Sequence, residues 1–503
     1  MGFAKWEAEV STPIIKFLLT AKGINCSNPS YYGKVSELTE NPDLPSGEAR
    51  DPGSLRRRRS VAAARCVLRR PVAKGLPSDA IASRSRVGVT EGRSMGHRWI
   101  LPLVSCLKAA ALSFALAALF TSPARADEAF QVWLTALRAE ATAQGVSPQT
   151  LDRALTGVEP IARIVELDRR QPEFTQTFWR YLDQRISDQR IERGRAMLAE
   201  HQALFREVGQ RYGVQPRFLA AFWGLESNYG SYTGDYPVID ALVTLAYDRR
   251  RSDFFRTQLL EALKILDQGH IPPDRMMGSW AGAMGHVQFI PSTFRHYAVD
   301  QDGDGRRDIW ESLPDALGSA ANFLSQIGWD PNRTWGREVR LPDDFPWELA
   351  GLDQRKKLAE WQALGVRRVD GQDLPAVDLD ASLVAPGGHM GPAFLVYQNF
   401  RVILNWNRSV TYAIAVGHLA DRLAGEGPLE TERPAGERPL SRLEVEELQE
   451  RLLAEGFDPG PPDGIVGGQT RAALRAFQRH AGLPPDGFPS IEVLQKLRTS
   501  DGG

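Results

Sequence analysis

Cysteine is scarce in this chain. Three cysteines occur among 503 residues, and all of them, Cys26, Cys66 and Cys106, lie in the first quarter of the sequence. Disulfides are the usual means of stabilising exported domains that are too small to bury much apolar surface. Because residues 107–503 contain no cysteine, a disulfide scaffold is excluded there, and the fold must depend on its apolar core.

Long apolar runs are also missing, apart from one short stretch near the start. It extends from Ala109 to Phe120, which is shorter than the ~20 residues that a transmembrane helix needs. Met95 and a basic region precede it, and the small-residue motif Ala124-Arg125-Ala126 follows it. We therefore predict a signal peptide over 95–126, cleavage before Asp127 and export to the periplasm.

The segment Leu103-Val104-Ser105-Cys106 offers an alternative, because it resembles a lipoprotein processing box. Lipidation of Cys106 would anchor the protein in the outer membrane. The apolar stretch, however, follows Cys106, whereas such a box requires it to come first. Cleavage after Ala126 is therefore the preferred interpretation.

Residues 1–94 have no sustained helical or strand periodicity and contain four consecutive arginines, Arg56 to Arg59. We interpret them as a mis-translated or disordered extension. A basic arm that binds nucleic acid or anionic lipid is a weaker interpretation, because export would leave it behind.

An excess of positive charge is missing as well. Cleavage after Ala126 removes 19 of the 61 basic and 9 of the 62 acidic residues, which leaves 42 against 53 and a net charge of −11. A strongly acidic protein repels phosphate backbones, so we expect no nucleic-acid partner. We also expect a monomer.

What remains is a chain of mostly helical pattern. Apolar residues recur at helical spacing from Ala129 to about Gly213, and again over 214–328. Residues 330–391 shift to Pro, Gly and Asp with short alternating runs, which predicts a small irregular β subdomain. We further expect Phe394 to Tyr397 and Arg401 to Leu404 to be extended, and the Gly-, Pro- and Glu-rich residues 425–439 to form a linker.

Glu226 is the first candidate for chemistry. Leu219, Phe222 and Glu226 share one face of a predicted helix that begins near Pro216, so the carboxylate points toward the core or a cleft. Burial would raise its pKa and let it act as a general acid. A structural Glu paired with an Arg is the alternative. Two-carboxylate glycosidases need a partner, and no second carboxylate is evident.

Two sequence blocks indicate a family. Glu-Ser-Asn-Tyr-Gly at 226–230 is followed by Gly-Ala-Met-Gly-x-x-Gln-Phe-x-Pro-Ser at 282–292. Together they resemble the lytic murein transglycosylases, and are most similar to the membrane-bound lytic transglycosylase B family, from about Phe130 to about Leu423. The resemblance implies a catalytic domain over 127–424 that cleaves the MurNAc-β-1,4-GlcNAc bond of peptidoglycan glycan strands and leaves 1,6-anhydroMurNAc ends.

The resemblance also implies roles for single residues. Glu226 would be the acid and then the base, assisted by the substrate's acetamido group, and no organic cofactor would be needed. Residues matching substrate-binding positions of the family are Ser279, Gln288, Arg250, Arg251, Trp406, Asn407, Ser409 and Tyr412. The arginine pair is open to another interpretation as a solvated basic turn. A water-using muramidase and a non-catalytic wall-binding scaffold remain the alternative functions.

The segment from Asp300 to Glu311 matches an EF-hand calcium loop position for position, with Gly305 at the sharp turn. An acidic surface turn is the alternative, but four aspartates in nine residues repel one another without a cation. We predict a structural Ca²⁺ site whose ligands are Asp300, Asp302, Asp304, the carbonyl of Arg306, Asp308 and Glu311.

The last part of the chain, 440–498, has the pattern of three short helices. Its string Asp-Gly-Ile-x-Gly-x-x-Thr-Arg-x-Ala-Leu-x-x-Phe-Gln at 463–478 resembles a peptidoglycan-binding domain. A generic helical appendage is the alternative. We expect a mainly α (α+β) protein, in which a lysozyme-like core follows an N-terminal helical lobe, carries the small β subdomain and precedes the three-helix domain.

Overall fold

A computed structural model describes residues 123–169, 176–248 and 250–500, with side chains from 128 to 499. The extension 1–94, the apolar part of the predicted signal peptide and all three cysteines lie outside these ranges. None of the helices within them has both the length and the apolarity that crossing a bilayer requires.

The expected N-terminal lobe consists of six helices: α1 Pro123–Ala143, α2 Pro148–Leu155, α3 Ala162–Arg169, α4 Phe178–Arg185, α5 Asp188–Glu200 and α6 Gln202–Tyr212. Side-chain oxygens of Ser147, Thr177 and Ser187 cap three of these helices. Such caps satisfy backbone N–H groups that the first helical turn leaves unbonded. Leu134 and Leu137 of α1 are buried as predicted.

The core that follows is also helical, and comprises α7 Pro216–Ser227, α8 Val238–Tyr247, α9 Ser252–Asp267, α10 Pro291–Tyr297 and α11 Leu313–Gln326. Two short strands, β1 Tyr236–Pro237 and β2 Met277–Gly278, pair between these helices. One continuous apolar cluster joins the lobe to this core. The lobe and the core therefore form one packed body.

The predicted β subdomain is a five-stranded antiparallel sheet of order β4-β6-β7-β3-β5. Its elements are β3 Gly336–Arg340, β4 Gly351–Lys357, α12 Leu358–Ala363, β5 Arg367–Arg368, β6 Asp380–Val384 and β7 Ala393–Val396. Trp361 and Leu383 are fully buried in its separate core. The sheet is more regular than the sequence suggested.

Two helices follow the sheet, α13 Gln398–Trp406 and α14 Val410–Leu423. The prediction that 401–404 would be extended is wrong, because these residues lie inside α13. Val402 and Ile403 are buried while Arg401 and Leu404 are partly exposed, so the short apolar run is one face of an amphipathic helix.

The C-terminal domain has the three expected helices, α15 Arg442–Ala454, α16 Gly468–His480 and α17 Ile491–Ser500. They enclose a small core of their own around Leu448, Leu474 and Leu494. The domain contacts the catalytic body, because Oδ2 of Asp486 accepts hydrogen bonds from the backbone N–H of His389 at 2.8 Å and from its ring Nδ1 at 2.9 Å.

Candidate active site

Helix α7 carries Glu226 through the centre of the protein. Pro216 occupies its first turn, where the missing N–H would be unbonded in any case. Every residue from 218 to 227 is buried, as expected of a helix that is surrounded by protein on all sides. Asn228 ends the helix in the left-handed region with φ 49°, and Tyr229 follows with φ 58°. The acid therefore lies in the last turn of a buried helix.

Tyr229 holds this helix end in place. Its hydroxyl donates to the carbonyl of Arg190 at 3.0 Å. Its ring occupies space that two glycines leave open, because a Cβ on Gly194 of α5 or on Gly224 of α7 would collide with it. The packing of α5 against α7 thus depends on three residues together.

Glu226 has one hydrogen-bonded oxygen and one without a partner. Oε1 accepts the indole N–H of Trp406 at 2.9 Å and the hydroxyl of Tyr412. Oε2 is buried and makes no hydrogen bond with any described residue. Burial raises the pKa of Glu226 to about 7, although the hydrogen bonds from Tyr412 and Trp406 and the charge of Arg185 lower it. The group can thus hold a proton near neutral pH and also release it.

Both hydrogen-bond donors to Glu226 lie at the corner between α13 and α14. Trp406 is the last residue of α13, and Tyr412 lies in the first turn of α14. Ser409 caps α14 by accepting the N–H of Tyr412 at 3.3 Å, and Oδ1 of Asn407 accepts the N–H of Ser409 at 3.0 Å. We predicted all four for substrate binding. The structure uses Ser409 to shape the corner and places the other three beside the acid or its cavity.

A cavity of about 290 Å³ lies beside Glu226. This volume is close to the lower end of small-molecule pockets, which is ~300 Å³. Its other lining residues are Gln288, Phe289, Ile290, Thr293, Tyr297, Phe323, Ile327, Asn405, Trp406 and Asn407. Glu226 is the single carboxylate of this set, which belongs wholly to the described part of the chain. Tyr297, Phe323 and Asn405 were not predicted, because these positions lie outside the motifs that carry the resemblance to the family.

The loop between β2 and α10 contributes Gln288. This residue has a left-handed φ of 49°, and its amide NH₂ donates to the carbonyls of Thr233 and Gly285, both at 2.8 Å. No hydrogen bond to a described residue uses the amide oxygen. Ser279, predicted as a second sugar ligand, is instead part of a turn, where its hydroxyl oxygen accepts the N–H of Ala283 at 3.1 Å. It does not line the cavity.

His286 was not predicted, yet it joins this loop to the acid's helix. Its Nδ1 accepts the indole N–H of Trp223 at 2.9 Å, and its carbonyl accepts the hydroxyl of Ser227 at 2.7 Å. Burial lowers its pKa, so the ring is neutral. The residue occupies a variable position of the second block, which is why the motif did not identify it.

Arg250 and Arg251, which we predicted to bind substrate, both pair with an acidic side chain of the protein. Nε of Arg250 donates to Asp168 at 2.7 Å, and Arg251 pairs with the same buried carboxylate. Neither arginine lines the cavity beside Glu226. The two guanidinium groups neutralise Asp168 and tie α3 to the start of α9, because a buried carboxylate needs charged partners.

Four carboxylates converge at the predicted calcium loop. Three belong to the loop, Asp300, Asp302 and Asp304, and the fourth is Asp315, which follows it. One ligand oxygen from each lies within 4.8 Å of the others. Oxygen donors in this number suit a hard cation such as Ca²⁺.

Two predicted ligands lie outside this cluster. Glu311 is half exposed and pairs with Arg275. Oδ1 of Asp308 accepts the N–H of Trp310 at 3.0 Å and that of Glu311 at 2.9 Å. Arg306 contacts the cluster through its side chain, because Nη2 donates to Oδ2 of Asp304 at 2.9 Å.

Asp315 was missed because it lies beyond the twelve-residue template. It belongs to the first turn of α11, whose cap is Ser312. Its Oδ1 accepts the N–H of Gln301 at 2.7 Å and its Oδ2 that of Asp308, also at 2.7 Å. The carboxylate therefore holds both ends of the loop. The residue corresponds to a Ser-x-x-Asp capping pattern, which was the signal available in the sequence.

Comparison with known proteins gives two family matches. The transglycosylase SLT domain matches residues 129–421, and a peptidoglycan binding domain matches residues 441–497.

Three relatives illustrate the similarity. SltB3 of Pseudomonas aeruginosa, solved in complex with NAG-anhNAM-pentapeptide, is 51% identical, with a TM-score of 0.71, over 73% of this chain and 99% of that chain. Slt35 of Escherichia coli, solved in complex with calcium, is 27% identical, with a TM-score of 0.51, over 57% and 91%. Membrane-bound lytic murein transglycosylase B of Escherichia coli K12 is 28% identical over 261 residues, which is 49% of this chain and 67% of that relative.

Proposed function

The chain belongs to the transglycosylase SLT domain family of lytic transglycosylases, which act on peptidoglycan, and we propose that it cleaves the MurNAc-β-1,4-GlcNAc bond to leave a 1,6-anhydroMurNAc end. One observation carries this proposal. Glu226 is a buried carboxyl group with a pKa near 7, has one oxygen without a partner, and lines a cavity whose described walls contain no second carboxylate. A single carboxylate supports a mechanism in which the substrate supplies the second group, in place of the paired carboxylates that other glycosidases use.

The first step uses Glu226 as a general acid. Oε2, the oxygen without a protein partner, carries the proton and gives it to the glycosidic oxygen as the bond between that oxygen and C1 of MurNAc breaks. The bonding electron pair leaves with the oxygen. The carbonyl oxygen of the 2-acetamido group stabilises the positive charge at C1, which is the task a second carboxylate would otherwise have.

The second step uses the same residue as a base. Glu226 removes the proton of the C6 hydroxyl while the C6 oxygen bonds to C1, and this closes the anhydro ring and restores the protonated acid. Between the steps the carboxylate is ionised, and Trp406 and Tyr412 stabilise that charge through their hydrogen bonds to Oε1. Water is not consumed, so the reaction is an intramolecular transglycosylation.

Gln288 is the best-placed group for orienting the acetamido substituent. Its NH₂ is held by two carbonyls, so its amide oxygen remains to accept the acetamido N–H. Asn407 lines the same cavity. Arg250 and Arg251 have no part in this scheme, because Asp168 occupies them.

The four-carboxylate cluster supports a structural Ca²⁺ site. The mutual repulsion of Asp300, Asp302, Asp304 and Asp315 favours a divalent cation, and the relative Slt35 was solved in complex with calcium. When bound, the ion supplies loop stability and no chemistry. The loop ends near the active site, since the carbonyl of Ile309 accepts the N–H of His286 at 2.9 Å.

The remaining parts of the proposal concern location and substrate. We propose that the protein is exported to the periplasm and that its C-terminal domain binds peptidoglycan. The relative SltB3 was solved with sugar and pentapeptide fragments, which supports binding of such fragments by this chain.

Mass spectrometry of the muropeptides released from purified sacculi tests the reaction. We expect disaccharide peptides that end in 1,6-anhydroMurNAc, and nearly complete loss of them in Glu226→Gln with glycan binding retained. Reducing ends would identify a hydrolytic muramidase instead. If the folded protein released no product, the result would support the alternative function of a non-catalytic wall-binding scaffold.

A further inference from the structure

A second cavity, of about 520 Å³, lies under the linker, and we name it the linker cavity. The end of α4, the start of α5 and the last turns of α14 form its floor and walls, and residues 428–433 form its roof. It shares no lining residue with the cavity beside Glu226. Because α14 rises ~1.5 Å per residue, His418 in its wall lies ~9 Å along the helix from Tyr412.

The roof belongs to the predicted linker, and hydrogen bonds hold it in place. The carboxylate of Glu338 accepts the N–H groups of Glu430 and Thr431, both at 2.9 Å. Arg433 donates two hydrogen bonds to Asp183, each at 2.7 Å. The cavity is therefore already formed.

His418 is a buried polar group without a protein partner. Its side chain lines the linker cavity, is 7% exposed and makes no hydrogen bond with any of the described residues. Burial and the charge of Arg422 lower its pKa to about 4, so the ring is neutral and offers one donor and one acceptor. A ligand in the linker cavity can therefore hydrogen-bond this imidazole without displacing a partner among the described residues.

The linker cavity also contains one positive and one negative group without an opposite charge. Asp183 and Arg433 neutralise each other. Arg422 donates one hydrogen bond, to the carbonyl of Glu426 at 3.1 Å, and forms no ion pair with a described residue. The exposed carboxylate of Asp188, in the first turn of α5, likewise has no ion-pair partner there. Apolar walls from Leu182, Ile186 and Leu429 complete the lining.

Resting on the proposed function, we infer that the linker cavity binds the peptide stem of peptidoglycan. The stem has carboxylates, a free amino group where its third residue is a diamino acid, and alanine methyl groups. A carboxylate of the stem pairs with Arg422 and hydrogen-bonds His418, and the amino group pairs with Asp188. The methyl groups pack against the apolar walls. A neutral glycan could hydrogen-bond these groups through its hydroxyls, but only the peptide stem brings an opposite charge to each of them.

Isothermal titration of the full chain with the free tetrapeptide L-Ala-γ-D-Glu-meso-diaminopimelate-D-Ala tests the inference. We expect saturable binding that Arg422→Gln and Asp188→Asn each weaken at least about tenfold, since charged hydrogen bonds are at stake. Matched controls are Arg479→Gln, also in the last turn of a helix, and Asp253→Asn, also in the first turn of one. Neither control residue lines the linker cavity, so both variants should bind as the unaltered chain does.

Two modified probes use the unaltered chain and so do not depend on a variant that folds. Acetylation of the free amino group should weaken binding as Asp188→Asn does, and N-acetylmuramic acid alone should not compete. Absence of binding, equal binding by Arg422→Gln, or competition by the sugar would overturn the inference. Turnover of sacculi is a separate measurement. Peptide binding without turnover would contradict only the proposed function, and turnover without peptide binding only this inference.

Discussion

Trp406 donates its indole N–H to Oε1 of Glu226 at 2.9 Å. Because Trp has no acceptor, this hydrogen bond favours the ionised carboxylate. Tyr412 donates to the same oxygen, and Oε2 is left for the substrate. The two donors thus set how readily the acid gives up its proton, and several predictions depend on them.

The pH dependence of activity should report this arrangement. The first step needs protonated Glu226, so kcat/KM should fall above a pH near the pKa of about 7. Tyr412→Phe removes the hydrogen bond that most lowers this pKa. The pH above which kcat/KM falls should therefore rise by about one to two units. Trp406→Phe should move it in the same direction. Tyr397→Phe is the control. It removes a buried hydroxyl in the β subdomain and should not change the pH above which kcat/KM falls.

The stability of Glu226→Gln should exceed that of the unaltered chain increasingly as pH rises. The folded pKa of about 7 lies above the ordinary value of 4.5, so the protonated form stabilises the fold at low pH. That contribution is complete below pH 4.5 and is lost as pH rises through 7, with a total of about 3 kcal/mol. Gln never ionises. Thermal melts at pH 5 and pH 8 measure the difference, and a pH-independent difference would contradict the buried-acid interpretation.

Calcium should stabilise the fold through Asp315 and not through Glu311. Saturating calcium should raise the Tm of the unaltered chain by mass action. Asp315→Asn should lose most of that rise, because the residue belongs to the four-carboxylate cluster. Glu311→Gln should keep it, because Glu311 pairs with Arg275. If Glu311→Gln lost the rise in Tm and Asp315→Asn kept it, the ligands would be those of the twelve-residue EF-hand loop.

Arg251 should matter for stability and not for substrate affinity. Its guanidinium neutralises buried Asp168, so Arg251→Gln should cost about 2 kcal/mol of the free energy of unfolding. KM for soluble glycan fragments should stay within about twofold, a change of ~0.4 kcal/mol. Denaturant melts and steady-state kinetics measure the two effects. A large rise in KM with unchanged stability would support the original expectation of substrate binding.

Docking of the C-terminal domain should weaken with rising pH. The hydrogen bond to Asp486 raises the pKa of His389, against burial, and Glu492 adds to the rise. The ring's contribution is therefore complete below the ordinary pKa of about 6.5 and is lost as pH rises through the raised value. Limited proteolysis of residues 425–439 should accelerate across that range. The protease should cut the His389→Ala variant fast at every pH. It should cut Met390→Ala, a variant at an exposed neighbouring position, at the rate and with the pH dependence of the unaltered chain.

The sequence predicted the parts of the site that lie in continuous segments. Helical periodicity identified Glu226, and the resemblance to the family implied that Trp406 and Tyr412 belong to the same site, although the hydrogen bonds joining the three residues were not predictable. Those bonds span 180 and 186 residues of sequence. Local patterns contain no information about such distances.

The rest of the site depends on contacts between distant parts of the chain. The family resemblance implied substrate binding by Arg250 and Arg251, but a sequence shows a charge and not its partner, here Asp168 more than 80 residues earlier. Asp315 was missed because a motif has a fixed length, whereas a metal site is assembled from any oxygen that the fold brings near. Composition predicted a linker over 425–439, but it could not show that Glu338 and Asp183 hold this segment in place.

The packing of Tyr229 constrains which substitutions homologous chains can accept. Its ring fills a slot that Gly194 and Gly224 keep open, so the three positions are a single unit of variation. A side chain larger than hydrogen at either glycine has nowhere to go while the ring is present, and loss of the ring leaves a void between two helices. In homologous chains we expect these positions to change together, with small residues at 229 wherever 194 or 224 has gained a side chain.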